Sequence, residues 1–179
     1  RDLTIQNTAA NTVGNVACVR LIGRTTLGLG TSSITIENCN IIGSTTGNNG
    51  LSGSTQTTTY GIYAGSSVLT TMAATTGGAD YDNMIIRNNS ISNAYIGINI
   101  IGLTANQADN LQVLNNTIGS ATNRIGFKGF AGQFLVGGNM TNNIVSDIEA
   151  TSSISVAAIE VGGAATNGFQ VRRNTIVDI

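Results

Sequence analysis

A six-residue pattern recurs along the chain and constrains its fold more than any other feature. The pattern begins and ends with an apolar residue, and its two central positions are rich in asparagine. Asparagine fills nine of the twelve central positions, although it is only about one residue in eight of the chain, so chance does not explain the pattern. The six copies span residues 5–10, 36–41, 86–91, 113–118, 140–145 and 171–176.

The closing apolar residues of the copies follow one another at intervals of 31, 50, 27, 27 and 31 residues. A period near 30 with short β-type segments is typical of a solenoid, whose coils bury their apolar residues by stacking. The longest interval holds two polar stretches, 44–59 and 66–83, which we interpret as loops inserted into one coil. Residues 1–179 are therefore predicted to form a single solenoid segment.

Each of the first five copies of the pattern is followed by a second segment in which apolar side chains alternate with others, as a half-buried strand requires. No stripe of helical period competes with these segments. The sequence therefore predicts an all-β parallel solenoid of about six coils. The second segments are residues 16–22, 60–64, 95–101, 124–130 and 154–161.

The asparagines have two predicted roles. Asparagine enters the left-handed backbone region more readily than most residues, so it suits sharp turns in a chain without proline. In stacked coils, one asparagine per coil can also hydrogen-bond its amide to those above and below, which satisfies buried polar groups. The predicted ladder of amides consists of Asn38, Asn89, Asn116, Asn143 and Asn174.

Composition argues against several classes of function. Histidine is absent, so the Ser-His-Asp arrangement and the usual zinc ligands are missing from this chain. Eight Lys plus Arg and nine Asp plus Glu, without a basic cluster, predict no binding of nucleic acid. No apolar run reaches the roughly 18 residues of a membrane span. Cys18 and Cys39 allow one disulfide or two buried thiols, and we favour the thiols.

A metal site is one hypothesis for the second inserted loop, where Asp80, Asp82 and Asn83 offer carboxylate and amide oxygens. Such oxygens suit Ca²⁺, but this ion needs six or more ligands, and the spacing of a calcium-binding loop is absent. We therefore favour a polar loop that re-enters the stack, and the sequence predicts no cofactor.

Tyrosines beside the long loops are the candidates for contact with a ligand. A tyrosine ring can stack on a sugar ring, and the alternative is that these rings pack against strand edges and neighbouring coils, which we favour. The candidates are Tyr60, Tyr63, Tyr81 and Tyr95.

The acidic residues distinguish an enzyme from a non-enzymatic module. Asp147 and Glu149 are the nearest match to a pair of glycosidase carboxylates, but they are two residues apart and we expect both to be solvated. An enzyme would bring at least two acids within about 10 Å of each other along one groove, whereas a structural module would disperse them. No catalytic residue is predicted. The acids whose positions distinguish the two functions are Asp80, Asp82, Asp109, Asp147, Glu149 and Glu160.

With its recurrent Asn-Asn-x-Ile turns, the chain resembles the right-handed parallel β-helix proteins of the pectate-lyase-like superfamily over nearly its whole length. Segments 115–120 and 142–148 are similar to repeats of very large secreted surface proteins of Bacteroidetes-type bacteria. The resemblance implies a bacterial, extracellular or cell-surface module, either a rigid spacer or an adhesin-like surface.

The expected partners are flanking parts of a larger chain, or a secretion or surface assembly, and a glycan. Both ends of the sequence, residues 2–5 and 174–179, have the pattern of interior coils, which favours such a partner. The alternative function is a fragment of a carbohydrate-active enzyme, whether a polysaccharide lyase, a glycoside hydrolase or a tailspike-like depolymerase. The lyases of the superfamily hold calcium with clustered aspartates and its galacturonases pair aspartates with a histidine, and this chain matches neither pattern.

Overall fold

The computed structural model describes residues 3–7, 16–22, 32–44, 59–65, 81–149 and 156–179. All regular elements in these ranges are β-strands, and all pairs between them are parallel. The prediction of an all-β chain with parallel sheets is therefore confirmed. The strands are β1 (Leu3–Gln6), β2 (Val16–Ile22), β3 (Thr35–Glu37), β4 (Cys39–Ile42), β5 (Thr59–Gly65), β6 (Ile85–Arg87), β7 (Ser90–Ser92), β8 (Ala94–Ile101), β9 (Ala108–Asp109), β10 (Gln112–Leu114), β11 (Thr117–Ile118), β12 (Ile125–Gln133), β13 (Leu135–Val136), β14 (Asn139–Thr141), β15 (Ile144–Ser146), β16 (Ala157–Gly162), β17 (Gln170–Arg172) and β18 (Thr175–Val177).

Three main sheets contain nearly all of these strands. Sheet A has the order β1-β4-β7-β11-β15-β18, sheet B has β2-β5-β8-β12-β16, and sheet C has β3-β6-β10-β14-β17. A short fourth sheet pairs β9 with β13. The chain passes through sheets A, B and C in this order again and again, so successive strands of one sheet come from successive repeats of the sequence.

Strand pairing aligns the repeats so that each sheet contributes a column of apolar side chains to a shared core. Six of these side chains have no exposed surface, and burying one aliphatic side chain is worth about 1.5–3 kcal/mol. The same columns end in Val171 and Ile176, which are 44% and 49% exposed because a strand lies on only one side of them. The buried members are Ile91, Ile118 and Val145 in sheet A and Ile86, Val113 and Met140 in sheet C.

The interpretation of residues 5–10 as the first copy of the pattern is wrong. Strand β1 pairs Ile5 with Ile41, so Ile5 is the closing apolar residue of the first repeat. Leu3 then pairs with Cys39, within a central pair of the pattern. A lone asparagine followed by small residues matched the pattern locally, but pairing with a distant strand decides the register.

The predicted role of asparagine in the turns is confirmed. Between sheets C and A, the residue at the first central position has a left-handed backbone, with φ between 53° and 57°. Asparagine tolerates this conformation better than most residues because its short polar side chain can hydrogen-bond locally. The residues at this turn are Asn38, Asn88, Asn115, Asn142 and Arg173.

The second segments of the repeats form sheet B, as predicted, with ends that shift by up to three residues. In the middle of this sheet, the strands are buried on both faces, and β5 and β8 have no exposed residue. Such strands have nearly continuous apolar sequences. Most of the two predicted loops, residues 45–58 and 66–80, lies outside the described residues.

Three glycines in sheet B let the apolar column of sheet A approach closely. A Cβ atom on Gly97 would lie 2.6 Å from Gly129 O and 2.6 Å from Cγ2 of Ile118. Gly61 and Gly129 have equivalent contacts, with the backbone of the next strand and with Ile91 and Val145 respectively. The core therefore has no space for a side chain at these positions.

Replacing Gly97 with alanine is expected to lower the free energy of unfolding by about 1–3 kcal/mol, because backbone atoms must move to admit the methyl group. Urea unfolding followed by circular dichroism measures this change. The control is Gly162→Ala, where the added Cβ meets no atom within 4 Å and a change within about 0.5 kcal/mol is expected. Equal effects of the two substitutions would contradict the close approach of sheets A and B.

Candidate functional site

Four asparagines from successive repeats are joined by hydrogen bonds between their side-chain amides. We call Asn89, Asn116, Asn143 and Asn174 the asparagine column. Asn89 donates from Nδ2 to Oδ1 of Asn116 at 3.0 Å, Asn116 donates to Asn143 at 2.9 Å, and Asn143 donates to Asn174 at 2.9 Å. The same acceptor oxygens also receive the backbone N–H of the preceding asparagine. Each Oδ1 of the last three residues therefore accepts two hydrogen bonds.

Each Nδ2 in the column also donates to a backbone carbonyl of the preceding repeat at 2.9–3.0 Å. Asn89, Asn116 and Asn143 are at most 2% exposed, so unpaired amides at these positions would be costly. Each of these three Nδ2 groups has an asparagine oxygen and a backbone carbonyl as acceptors, so the buried amides are hydrogen-bonded and stabilise the structure. The accepting carbonyls belong to Ile36, Ile86, Val113 and Met140.

Asn38, predicted as a member of the ladder, lies one residue before the column, at the left-handed turn position with φ 54°. Cys39 stands in the position of the column, and its backbone N–H donates to Oδ1 of Asn89 at 3.0 Å. The pairing of Asn40 with Ser90 fixes this alignment. In the central pair Asn38-Cys39, the only asparagine therefore occupies the turn position, and a cysteine occupies the position equivalent to Asn89.

Replacing Asn116 with leucine is expected to lower the free energy of unfolding by about 2–4 kcal/mol, because each buried group left without a partner costs about 1–3 kcal/mol. The groups that lose a partner are the Asn89 amide, the Ile86 carbonyl and Oδ1 of Asn143. Chemical denaturation measures the loss.

The neighbouring Asn115 supplies the control. It is exposed at the left-handed turn, so Asn115→Gly keeps the backbone conformation and is expected to cost less than about 1 kcal/mol. If both substitutions cost the same, the amide hydrogen bonds are not a major source of stability.

Cys39→Asn is expected to raise the free energy of unfolding by about 0.5–1.5 kcal/mol, because it adds an amide donor next to Oδ1 of Asn89. The Cys39 thiol now donates to Glu37 O at 3.2 Å, and the new amide can keep that bond. Thermal melting of Cys39→Asn beside Cys39→Ala measures the effect. The alanine variant lacks the amide, so a similar rise in both would rule out this explanation.

The candidate metal ligands make hydrogen bonds along the stack of strands. Oδ1 of Asp82 accepts the backbone N–H of Asp109 at 3.3 Å, and Oδ1 of Asn83 accepts Nδ2 of Asn110 at 2.9 Å. Burial, followed by the nearby charge of Asp82, raises the pKa of Asp109. Asp80 lies outside the described residues. Within the described ranges, no three Cys, Asp or Glu side chains are grouped to hold a metal ion.

All four candidate tyrosines are buried, with at most 5% exposure. The Tyr60 and Tyr63 rings meet edge to face at 5.1 Å, and the Tyr95 ring stacks on Phe127 at 4.9 Å. The Tyr81 hydroxyl lies 2.6 Å from Gly65 O. Their rings therefore pack inside the protein, and their faces are not available to a sugar.

The Tyr60 hydroxyl is buried and has no hydrogen-bond partner among the described residues. Burial, followed by the charges of Tyr63 and Tyr95, raises the pKa of Tyr60. Nearby, Lys128 is 2% exposed and forms a 2.7 Å ion pair with Glu160 while its Nζ lies 4.5 Å above the Phe127 ring. Glu160, one of the six acids that the sequence singled out, is therefore held in an ion pair with Lys128.

One cleft of about 300 Å³ brings together acids that are far apart in sequence, and we call it the acidic cleft. Asp147 and Glu149 line it, as expected for neighbours, and Asp178 joins them because β15 pairs with β18. Arg124 also lines the cleft and forms an ion pair with Glu149. Asp178 is not one of the six acids that the sequence singled out as candidates.

A second cleft, of about 260 Å³, lies on the outward face of sheet C, and we call it the arginine cleft. Its lining combines two guanidinium groups with amides and a hydroxyl, and none of its described lining residues is acidic. Sequence reasoning missed this site, although the signal was present as two adjacent arginines, of which Arg173 stands where the three preceding copies have an asparagine. The lining residues are Asn139, Thr141, Gln170, Arg172 and Arg173.

Cys18 and Cys39 are free thiols in the structure and are partly buried. The Cys18 thiol donates to Ile42 O at 3.3 Å, and burial raises its pKa although a backbone hydrogen bond from Asn7 opposes this. A raised pKa disfavours the thiolate, so Cys18 is not an activated nucleophile. The preference for two thiols over a disulfide is therefore confirmed.

Sheets, columns and clefts together define an all-β protein of parallel sheets whose repeats align residue by residue. No protein-family model matches the chain, and neither curated proteins nor solved structures include a match. In the ranges that the structure covers, no helix has the length and apolarity needed to cross a bilayer.

Proposed function

We propose that the chain is a right-handed parallel β-solenoid of six coils with an asparagine ladder, and that it acts as a non-enzymatic extracellular module. The observation that carries this proposal is the unbroken column from Asn89 to Asn174, beside apolar columns in the same register. Interactions between neighbouring coils then supply most of the stability, as in other solenoids. The right-handed sense follows the strong preference of connections between parallel strands.

A rigid spacer or an adhesin-like surface of a bacterial cell-surface protein is the role that such a stack supports best. Backbone hydrogen bonds join its strands, and amide hydrogen bonds join the coils from Asn89 to Asn174, so outward side chains keep their spacing, roughly 4.8 Å per coil. The half-exposed Val171 and Ile176 support a partner at this end, either a further coil of a larger chain or a component of a surface assembly. A glycan is the proposed ligand of the outward faces.

The second candidate function is a carbohydrate-active enzyme, and the acidic cleft is the observation that favours it. Glycoside hydrolysis needs two carboxyl groups, and Asp147, Glu149 and Asp178 line one cleft. One of the three is held by Arg124, which a catalytic acid or nucleophile would need to release. The cleft therefore supports this function less well than the stack supports a module.

Incubation with a panel of bacterial, plant and animal polysaccharides separates the two functions. The module is expected to be retained on at least one immobilised polysaccharide and to release no new reducing ends or unsaturated sugars. Cleavage that disappears in Asp147→Asn with Glu149→Gln would establish the enzyme in its place. The control is Glu37→Gln, which removes the other acid that forms a surface ion pair, with Arg87 at 2.6 Å.

A further inference from the structure

We infer that the arginine cleft binds an oxyanion carried by a sugar, a carboxylate or a sulfate ester. This inference rests on the adhesive role proposed above, because it names the chemical class of the ligand and the residues that hold it. The evidence is the charge of the cleft, the conformation of Arg173 and the chemistry of the other side chains.

Charge pairing distinguishes this cleft from three other cationic positions. Arg87, Arg124 and Lys128 each form an ion pair with a glutamate. Arg172 and Arg173 are exposed and adjacent, and they form no ion pair with any described residue. Two guanidinium groups at one cleft attract an anion, and each offers a planar fork that matches a carboxylate or sulfate.

Arg173 also has a backbone conformation that its side chain disfavours. Its φ is 53°, and the equivalent positions in the preceding repeats hold Asn88, Asn115 and Asn142. A left-handed conformation is costly for a residue such as arginine and much less so for asparagine. Strained residues of this kind cluster at functional sites, and here the strain places a cation at the cleft.

The remaining side chains of the cleft suit the hydroxyl groups of a sugar. The Thr141 hydroxyl donates to Oδ1 of Asn139 at 3.0 Å, so the N–H groups of that amide remain as donors for a ligand. Gln170 adds a second amide beside the guanidinium groups. A volume of about 260 Å³ is just below the range of drug-sized ligand sites, roughly 300–1,000 Å³, and suits one charged sugar unit.

The preceding repeat supplies a variant that removes both charges and is expected to fold. Thr141 is the partner of Arg172 in the sheet, and Asn142 stands at the turn position of Arg173. The double variant Arg172→Thr with Arg173→Asn therefore copies the preceding repeat. Because asparagine suits the left-handed turn, we expect this variant to melt at or above the temperature of the unchanged protein.

Isothermal titration calorimetry at low ionic strength tests the inference. The probes are three oligosaccharides of equal length: one is sulfated, one is built of uronic acids and one is neutral. The unchanged protein is expected to bind at least one of the two charged probes and not the neutral probe, with affinity that falls as salt is added. The charged probe that binds identifies the oxyanion. The double variant is expected to lose at least about tenfold in affinity, because charge-assisted hydrogen bonds are lost.

Arg87→Gln is the matched control, because Arg87 lies in sheet C at the same outward register position as Arg172 and is paired with Glu37. It is expected to keep the affinity of the unchanged protein. Failure of both charged probes to bind, or equal affinity in the double variant, would overturn the inference. Retention on a polysaccharide without any binding of the charged probes would overturn this site and leave the proposed function standing.

Discussion

Hydrogen bonding between buried asparagine amides is the interaction that fixes the register of the four repeats from Asn89 to Asn174. A slip of one residue would move Asn116 out of the column and turn the apolar side chains of its strand to the opposite face. It would also break the hydrogen bonds that the buried carboxamides of Asn89 and Asn143 make with Asn116. Apolar packing alone tolerates exchanges among aliphatic residues, but the amides accept only one alignment. The column therefore specifies the alignment of these repeats, and the apolar columns beside it form the hydrophobic core.

The same constraint explains where charged groups are found on this protein. Inward positions are committed to the column and the core, so charged groups are placed at turns and on outward faces. Asp147, Asp178 and Arg173 all occupy left-handed turn positions, with φ between 51° and 53°. Both clefts are built around such turns. Replacement of a turn asparagine changes the surface chemistry at a modest backbone cost and leaves the stack intact.

Electrostatics separates the two clefts into different kinds of site. In the acidic cleft, Arg124 faces three carboxylates and is already paired with Glu149, so its charges are partly balanced within the protein. In the arginine cleft, no described lining residue balances the two guanidinium groups. An external anion gains more at the second site, because it meets unpaired positive charge beside amide donors. This difference favours binding of a charged glycan over hydrolysis.

The sequence by itself determined the all-β class, the asparagine turns and the second strand of each repeat, because alternation and turn chemistry are local properties of the chain. Only the tertiary structure decided that Cys39 and not Asn38 stands next to Asn89 of the column, and that Ile5 closes the first repeat, since partners 50 and 36 residues away set these alignments. Local reasoning also gave only part of the lining of each cleft. Parallel pairing of strands from successive repeats brings Asp178 to Asp147 and places Arg172 next to Thr141, which no spacing within one repeat reveals.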